Sequence, residues 1–338
     1  MYDTIDEIES LFYLKDAELL SLSQNECKKH FDDRVFLRGI VEFSNICDRR
    51  CLYCGLSADN TSLKRYHLTK NEILKSVEMI YSNKIKTVVL QSGEFDSLDV
   101  DWMADLISDI KNRFDIAITL SVGEKSFDDY KKWKNAGADR YLLKIETTNP
   151  KIYSELHPGM SLENRMKCLS NLKKLGYETG CGSLLGLPGQ TIRDIATDIF
   201  YFKQNEFEMI GTGPFIPHPL TPLKSEKICD VDIVLKTIAV TRIVLKDVNI
   251  PATTAVGSLF KDFRSQALLW GANVLMPNFT PQECRPFYEI YPNKRCITEP
   301  TGACAFCVET IVKNAGKFID WSKGSAKKVK TKCFAEKN

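Results

Sequence analysis

Eight β-rich runs, most of them separated by helical patterns, confine this chain to a narrow set of folds. The runs fall at 35–43, 86–92, 116–122, 140–146, 179–187, 209–215, 249–255 and 273–277. Their nearly continuous apolar character predicts strands covered on both faces, as in a parallel sheet whose crossovers are helices. The intervening stretches suit that role. In "LTKNEILKSVEMIYSN", Thr69 and Glu72 stand at capping-box spacing, and Ile73, Val77 and Ile80 share one face. "SFDDYKKWKNAGA", "SLENRMKCLSNLKKLGY" and "TIRDIATDIFYFKQNEF" are similar, each ending near a glycine or a polar turn. This repeat predicts an α/β fold, a complete (β/α)8 TIM-type barrel over 35–278. Residues 1–34 are expected to form a helical extension, and 279–338 a C-terminal extension ending in a basic, solvated tail. Gly180, Gly182 and Gly186 lie mid-chain at G-x-G-x-x-x-G spacing, whereas a dinucleotide fingerprint opens the first βα unit at a different spacing, so a Rossmann fold is set aside.

The net charge of +2 is the residue of 46 basic and 44 acidic side chains interspersed along the chain, which leaves no field suited to nucleic acid. The opening "MYDTIDEIES" lacks the features of a signal peptide, and no apolar run approaches a membrane span. A cytoplasmic location is expected. There, a reducing environment disfavours disulfides, so twelve cysteines need another reason, and metal or cluster ligation leads. Cys27, Cys168, Cys181, Cys229, Cys284 and Cys333 are scattered and read as isolated thiols; the other six form two tight sets.

The first set, in "CDRRCLYC", is Cys47, Cys51 and Cys54 at C-x3-C-x2-C spacing. It follows the first strand and so belongs at the C-terminal mouth of a barrel, where active sites are built. A closed zinc site needs a fourth Cys or His, and His67, thirteen residues past Cys54, is poorly placed. A 4Fe–4S cluster held by three thiolates leaves one iron open to another ligand. The second set, Cys296, Cys304 and Cys307, has C-x7-C-x2-C spacing, compatible with a second cluster, with zinc or with surface thiols. His218 stands between prolines and reads as part of a rigid loop.

The first spacing, with aromatic Tyr53 before the last cysteine, resembles the signature of radical S-adenosylmethionine enzymes. Longer stretches, among them "RGIVEFSNICDRRCLYCGL", "TVVLQSGE", "AGADRYLLKIETTNP", "LGYETGCGSLLGLPGQT" and "GPFIPHPLTPL", are similar to the HydE family, whose members mature the diiron subcluster of FeFe-hydrogenase. Biotin synthase and methylornithine synthase are its relatives. The resemblance implies a 4Fe–4S cluster on Cys47, Cys51 and Cys54, S-adenosylmethionine as cofactor and a 5'-deoxyadenosyl radical. It places Tyr53, Gln91, Ser92, Gly93, Glu94, Ser121, Glu146 and Arg165 at the cofactor. Arg38, Thr119, Lys144, Thr253, Thr254 and Tyr288 would face the substrate. The second cysteine set would hold an accessory 2Fe–2S or 4Fe–4S cluster found in only some members. Implied partners are a small anionic or organometallic substrate, an electron donor such as flavodoxin or ferredoxin, and other hydrogenase maturases.

The residues also admit plainer roles. Glu146 and Arg165 suit a structural ion pair, Ser121 a strand hydroxyl and the threonines core packing. Family members usually carry arginine and histidine where this chain has Lys144 and Ile145, and E-D-P where it reads Glu94, Phe95 and Asp96. Lys144 keeps the charge without the planar fork, which points to a different small anion. Ile145, adjacent on the strand, is expected to face away from the barrel interior. The alternatives are a methylornithine synthase-type mutase or sulfur-chemistry enzyme acting on a small amino acid, and an iron–sulfur carrier that cleaves no cofactor.

Overall fold

The computed structural model describes residues 2–298 and 304–326, the side chains of 304–306 excepted. The chain opens with helices α1 (Ile5–Leu11) and α2 (Asp16–Phe31), then strands β1 (Arg34–Leu37) and β2 (Gly39–Ser44). Alternation follows: α3 (Lys70–Ser82), β3 (Thr87–Ser92), α4 (Val100–Arg113), β4 (Ala117–Ser121), α5 (Phe127–Asn135) and β5 (Arg140–Leu142). Next come α6 (Pro150–Leu156), α7 (Leu162–Lys174), β6 (Glu178–Cys181), β7 (Leu184–Leu185), α8 (Ile192–Gln204), β8 (Met209–Ile210) and β9 (Gly213–Pro214). The last elements are α9 (Val231–Leu245), α10 (Thr254–Gly257), α11 (Arg264–Leu269), β10 (Val274–Leu275), α12 (Cys304–Asn314) and β11 (Phe318–Asp320).

Local sequence accounts for much of this. Thr69 and Glu72 do form a reciprocal capping box on α3, and Ser126 with Asp129 and Thr191 with Asp194 do the same on α5 and α8. Each satisfies two otherwise orphaned N–H groups and contributes about 1 kcal/mol. Ile73, Val77 and Ile80, the predicted apolar face of α3, are fully buried.

Strands β2, β3, β4, β5, β6 and β8 make one parallel sheet in that order. Single parallel bridges continue the order from Met209 to Asn249, from Pro251 to Val274, and from Asn278 back to Ile40 in β2. The strand order is therefore circular, in keeping with an α/β barrel. Two runs depart from expectation. The 249–255 segment makes only those bridges before turning into α10, because Pro251 has no N–H to give a ladder. The 35–43 run breaks at Arg38, and its first half, β1, pairs instead with β10 and β11.

Along each strand, alternate residues share the inner face. That rule groups Arg38, Ile40 and Glu42 on β2 and its approach, Thr119 with Ser121 on β4, and Arg140, Leu142 and Lys144 on and after β5. Ile145, on the opposite face, is fully buried in the hydrophobic core, as expected. The N-terminal ends of the strands are closed by the C-terminal segment. Arg140 donates from Nε to Glu178 (2.8 Å), from Nη1 to Thr87 (3.0 Å), and from Nη2 to the Lys323 carbonyl (2.8 Å) and Ser325 (3.0 Å). Asn249 Nδ2 donates to the Gly324 carbonyl at 3.0 Å. No local pattern announces this strap, because β11 pairs with β1 across nearly the whole chain.

Candidate active site

The loop after β2 has no regular secondary structure, so its backbone groups are satisfied partly from side chains and partly by neighbouring segments. Arg65 donates to the carbonyls of Asn45 (2.7 Å), Leu56 (2.9 Å) and Ser57 (2.7 Å), and Asn45 Nδ2 reaches the carbonyls of Lys64 and Phe287. The neighbouring loop after β3 is laced to it: Asp48 N–H donates to the Glu94 carbonyl at 2.8 Å, and Asp96 N–H to Asp48 Oδ2 at 2.8 Å. Gly93 is required there, since a Cβ would stand 2.2 Å from the Ile46 carbonyl oxygen and 2.8 Å from Cys47 Cβ. His67 is far from any ligand role, packed edge to face against Phe43 and Phe95.

These loops frame a cavity of ≈350 Å³. Its wall holds Cys47, Cys51 and Cys54, together with Tyr53, Gln91, Ser92, Gly93, Glu94, Ser121, Glu146 and Arg165, and also Lys144, Thr253, Thr254 and Tyr288. One chamber thus collects nearly every residue expected at cofactor or substrate. Arg38 and Thr119 are the exceptions. They lie on the inner barrel face but off this wall, nearer the end closed by the strap. Arg38 donates to Met209 Sδ and stands 3.9 Å from Glu178, while burial and the nearby Arg140 push its pKa down to about 9.

Charges around the mouth are paired. Glu94 accepts from Arg49 Nε (2.8 Å) and from Arg165 Nη2 (3.2 Å), while Arg165 Nε faces Glu124 at 2.9 Å. Gly123 leaves room for Glu94: a Cβ there would lie 2.1 Å from Glu94 Cγ, and its φ of +80° suits glycine. Lys144 Nζ lies 2.8 Å from Glu146 Oε2, and Glu146 holds a left-handed φ of 66°. Such strain in a bulky residue persists only where surrounding structure holds it, and it concentrates at functional sites. Elsewhere on the wall Lys294 donates to Glu42 and to the Tyr288 carbonyl (3.0 Å), and Gln91 Nε2 donates to the Tyr288 hydroxyl (3.1 Å).

Glu42, Arg49, Glu124, His157 and Lys294 were not expected here. Glu42 follows from strand alternation with Arg38 and Ile40, and Arg49 from its place inside the cysteine motif. Lys294 and His157 sit in irregular segments with no periodicity to expose them.

The donor set fits an iron–sulfur cluster with a small polar cofactor beside it. Cys47, Cys51 and Cys54 line the same cavity, and three thiolates are the ligand set that leaves one iron of a 4Fe–4S cluster open. Burial raises the pKa of all three thiols, Cys54 to about 12, so metal loading must displace their protons. Paired carboxylates and guanidinium groups next to them suit the ammonium and carboxylate of S-adenosylmethionine. Of the second set, Cys307 is exposed, Cys296 has a φ of 63°, and the Cys304 side chain lies outside the described residues, as does Cys333 in the basic tail.

Comparison with known proteins agrees. The radical SAM superfamily model matches residues 41–201. The [FeFe] hydrogenase maturase subunit HydE of Thermotoga maritima is 47% identical over 311 residues, spanning 92% of this chain and 89% of that protein. The chain belongs to the HydE family of radical SAM enzymes. More distantly, 3-methylornithine synthase of Methanosarcina acetivorans is 26% identical over 80% of this chain and 78% of its own. A crystal structure of methylornithine synthase superposes with a TM-score of 0.81 at 23% identity, covering 95% of each chain, which supports the fold. Membership in the HydE family makes the chain an enzyme and sets aside the passive iron–sulfur carrier. It also implies a 4Fe–4S cluster and S-adenosylmethionine as its working groups.

Proposed function

We propose that this chain is a hydrogenase maturase acting on a small anionic substrate, a cysteine-bound iron carbonyl cyanide precursor of the diiron subcluster. The observation that carries the reading is the single chamber shared by the three thiols and by Lys144, Thr253, Thr254 and Tyr288. When bound, the cluster supplies the electron that cleaves the sulfonium of S-adenosylmethionine, yielding a 5'-deoxyadenosyl radical.

The chain's own residues do the rest. Arg165 presents a buried guanidinium for the methionine carboxylate, and its orientation is fixed by Glu94 and Glu124. Glu94 and the carbonyls of residues 91–93 receive the methionine ammonium. Glu146 is aimed into the chamber for a ribose hydroxyl or an amine. Lys144 and the hydroxyls of Thr253, Thr254 and Tyr288 receive the substrate anion, while the loops above exclude water from the radical. Electrons come from a flavodoxin or ferredoxin, other maturases are partners, and a cytoplasmic setting suits all three. Among the described residues no helix is long and apolar enough to cross a membrane.

A second reading rests on Lys144. An ammonium paired with Glu146 is a point charge without an arginine's fork, which favours a different small anion, such as an amino acid processed by a mutase. Complementation of a strain lacking HydE separates the two. Full hydrogenase maturation by the wild type, unimproved by Lys144→Arg, supports the maturase; no maturation by either supports the mutase.

A further inference from the structure

His157, which follows α6, has no role in the reading above, yet it sits on the cavity wall against the cysteine loop. Its Nε2 lies 2.8 Å from the Tyr53 hydroxyl, and the two rings meet edge to face at 5.4 Å. Its Nδ1 lies 2.9 Å from the Tyr153 carbonyl oxygen. A carbonyl only accepts, so Nδ1 carries the proton, Nε2 is bare, and the Tyr53 hydroxyl donates to it. The imidazole is 2% exposed and stacks on the Tyr153 ring at 4.3 Å, leaving it one orientation. Leu52 N–H donates to the Leu156 carbonyl at 3.1 Å, a second tie between the same two segments. Packing alone would accept any flat ring at this place; a tautomer set on one side and used on the other is a specific polar requirement.

The consequence falls on the cavity. Tyr53, Tyr153 and His157 bring three rings to the cavity, which Met160 and Cys54 also line, and the charged groups of Glu94, Arg165 and Glu146 border them, Arg165 Nε lying 3.5 Å from the Tyr153 hydroxyl. The purine of S-adenosylmethionine presents flat, uncharged aromatic faces that suit such rings, and its methionine is the charged end. We propose that His157 is a positioning residue: by accepting the Tyr53 hydroxyl it fixes the ring that forms the purine-facing wall of the cofactor site. The inference rests on the reading that this chamber takes S-adenosylmethionine.

A double-mutant cycle on the anaerobically reconstituted full chain tests it, using iron content, the Kd for S-adenosylmethionine from its perturbation of the reduced cluster's EPR spectrum, and kcat with KM. Tyr53→Phe removes the donor and His157→Phe the acceptor, each keeping a ring. Each is expected to weaken cofactor binding about threefold to tenfold, the range for one neutral hydrogen bond, with iron content unchanged and KM moving more than kcat. The double variant should bind no more weakly than either single one. His157→Gln, whose side-chain amide can accept near the place of Nε2, should restore most of the affinity. Additive losses, or Tyr53→Phe with unaltered Kd, would overturn the inference; should His157→Phe fail to fold, the Tyr53→Phe and His157→Gln results still decide it. Wild-type protein that cleaves no S-adenosylmethionine would defeat the reading of the site itself, whereas wild-type cleavage with additive variants defeats only the role of His157.

Discussion

The two ends of the barrel carry the same kinds of side chain and use them differently. At the end closed by the strap, Arg140 is fully buried, and its partners are Glu178, Thr87, Ser325 and a backbone carbonyl of the strap. At the mouth, Arg165, Glu94, Lys144 and Glu146 also pair with one another, but they border open space. Charge inside a barrel is therefore no mark of an active site. What separates the ends is that Arg140 is enclosed by its partners and the strap, whereas the charged groups at the mouth line a chamber. Arg38 shows the difference: its charge suggested substrate contact, and its place beside Met209 and Glu178 lies off the chamber wall.

The comparison is open to direct attack. The largest effect belongs at the closed end, where Arg140→Ala would strip the buried Glu178 of its 2.8 Å partner and leave the strap carbonyl held by Thr87 alone. Breaking a buried pair of this kind costs about 3–5 kcal/mol. A clear fall in Tm, with unchanged cofactor affinity in the folded protein, is expected; loss of affinity without loss of Tm would make this end part of the active site. At the mouth the pattern should reverse. Arg165→Ala leaves Glu94 paired with Arg49, so stability should change less, while affinity for S-adenosylmethionine falls by about 1.5–3 kcal/mol, the range for a hydrogen bond to a charged group. Calorimetric titration of the reconstituted variant checks this, and unaltered affinity would reduce Arg165 to a structural ion pair.

Lys144 should give a smaller effect, because it is partly open to solvent. Lys144→Ala is expected to weaken substrate binding by about 1.5 kcal/mol while cofactor cleavage without substrate persists; lost cleavage would move Lys144 into the cofactor site. The smallest effect on cleavage is expected from replacing Cys296, Cys304 and Cys307 together. Bound iron should drop while cleavage continues, as measured by iron assay and product chromatography. A folded triple variant that no longer cleaves would show the second set to be essential.

The sequence was most legible where local forces decide. The runs at 86–92 and 116–122 became Thr87–Ser92 and Ala117–Ser121, because apolar continuity and flanking caps act within a few residues. The three-cysteine motif was equally readable, its chemistry being carried by spacing. Legibility failed where distant segments meet. The strap's register against β1, the reach of Lys294 to Glu42 and the tie of His157 to Tyr53 are tertiary contacts with no periodic signal. Pro251 was a local clue that the seventh strand would reduce to bridges, and it is the absence of one N–H that explains the change.

The central claim is that Cys47, Cys51 and Cys54 hold a cluster that works on S-adenosylmethionine at the open end. Its most direct test is cofactor cleavage by anaerobically reconstituted protein supplied with a reductant, the wild type set against Cys51→Ala. 5'-Deoxyadenosine and methionine are expected from the wild type and neither above background from the variant. Equal turnover by the two proteins would contradict it.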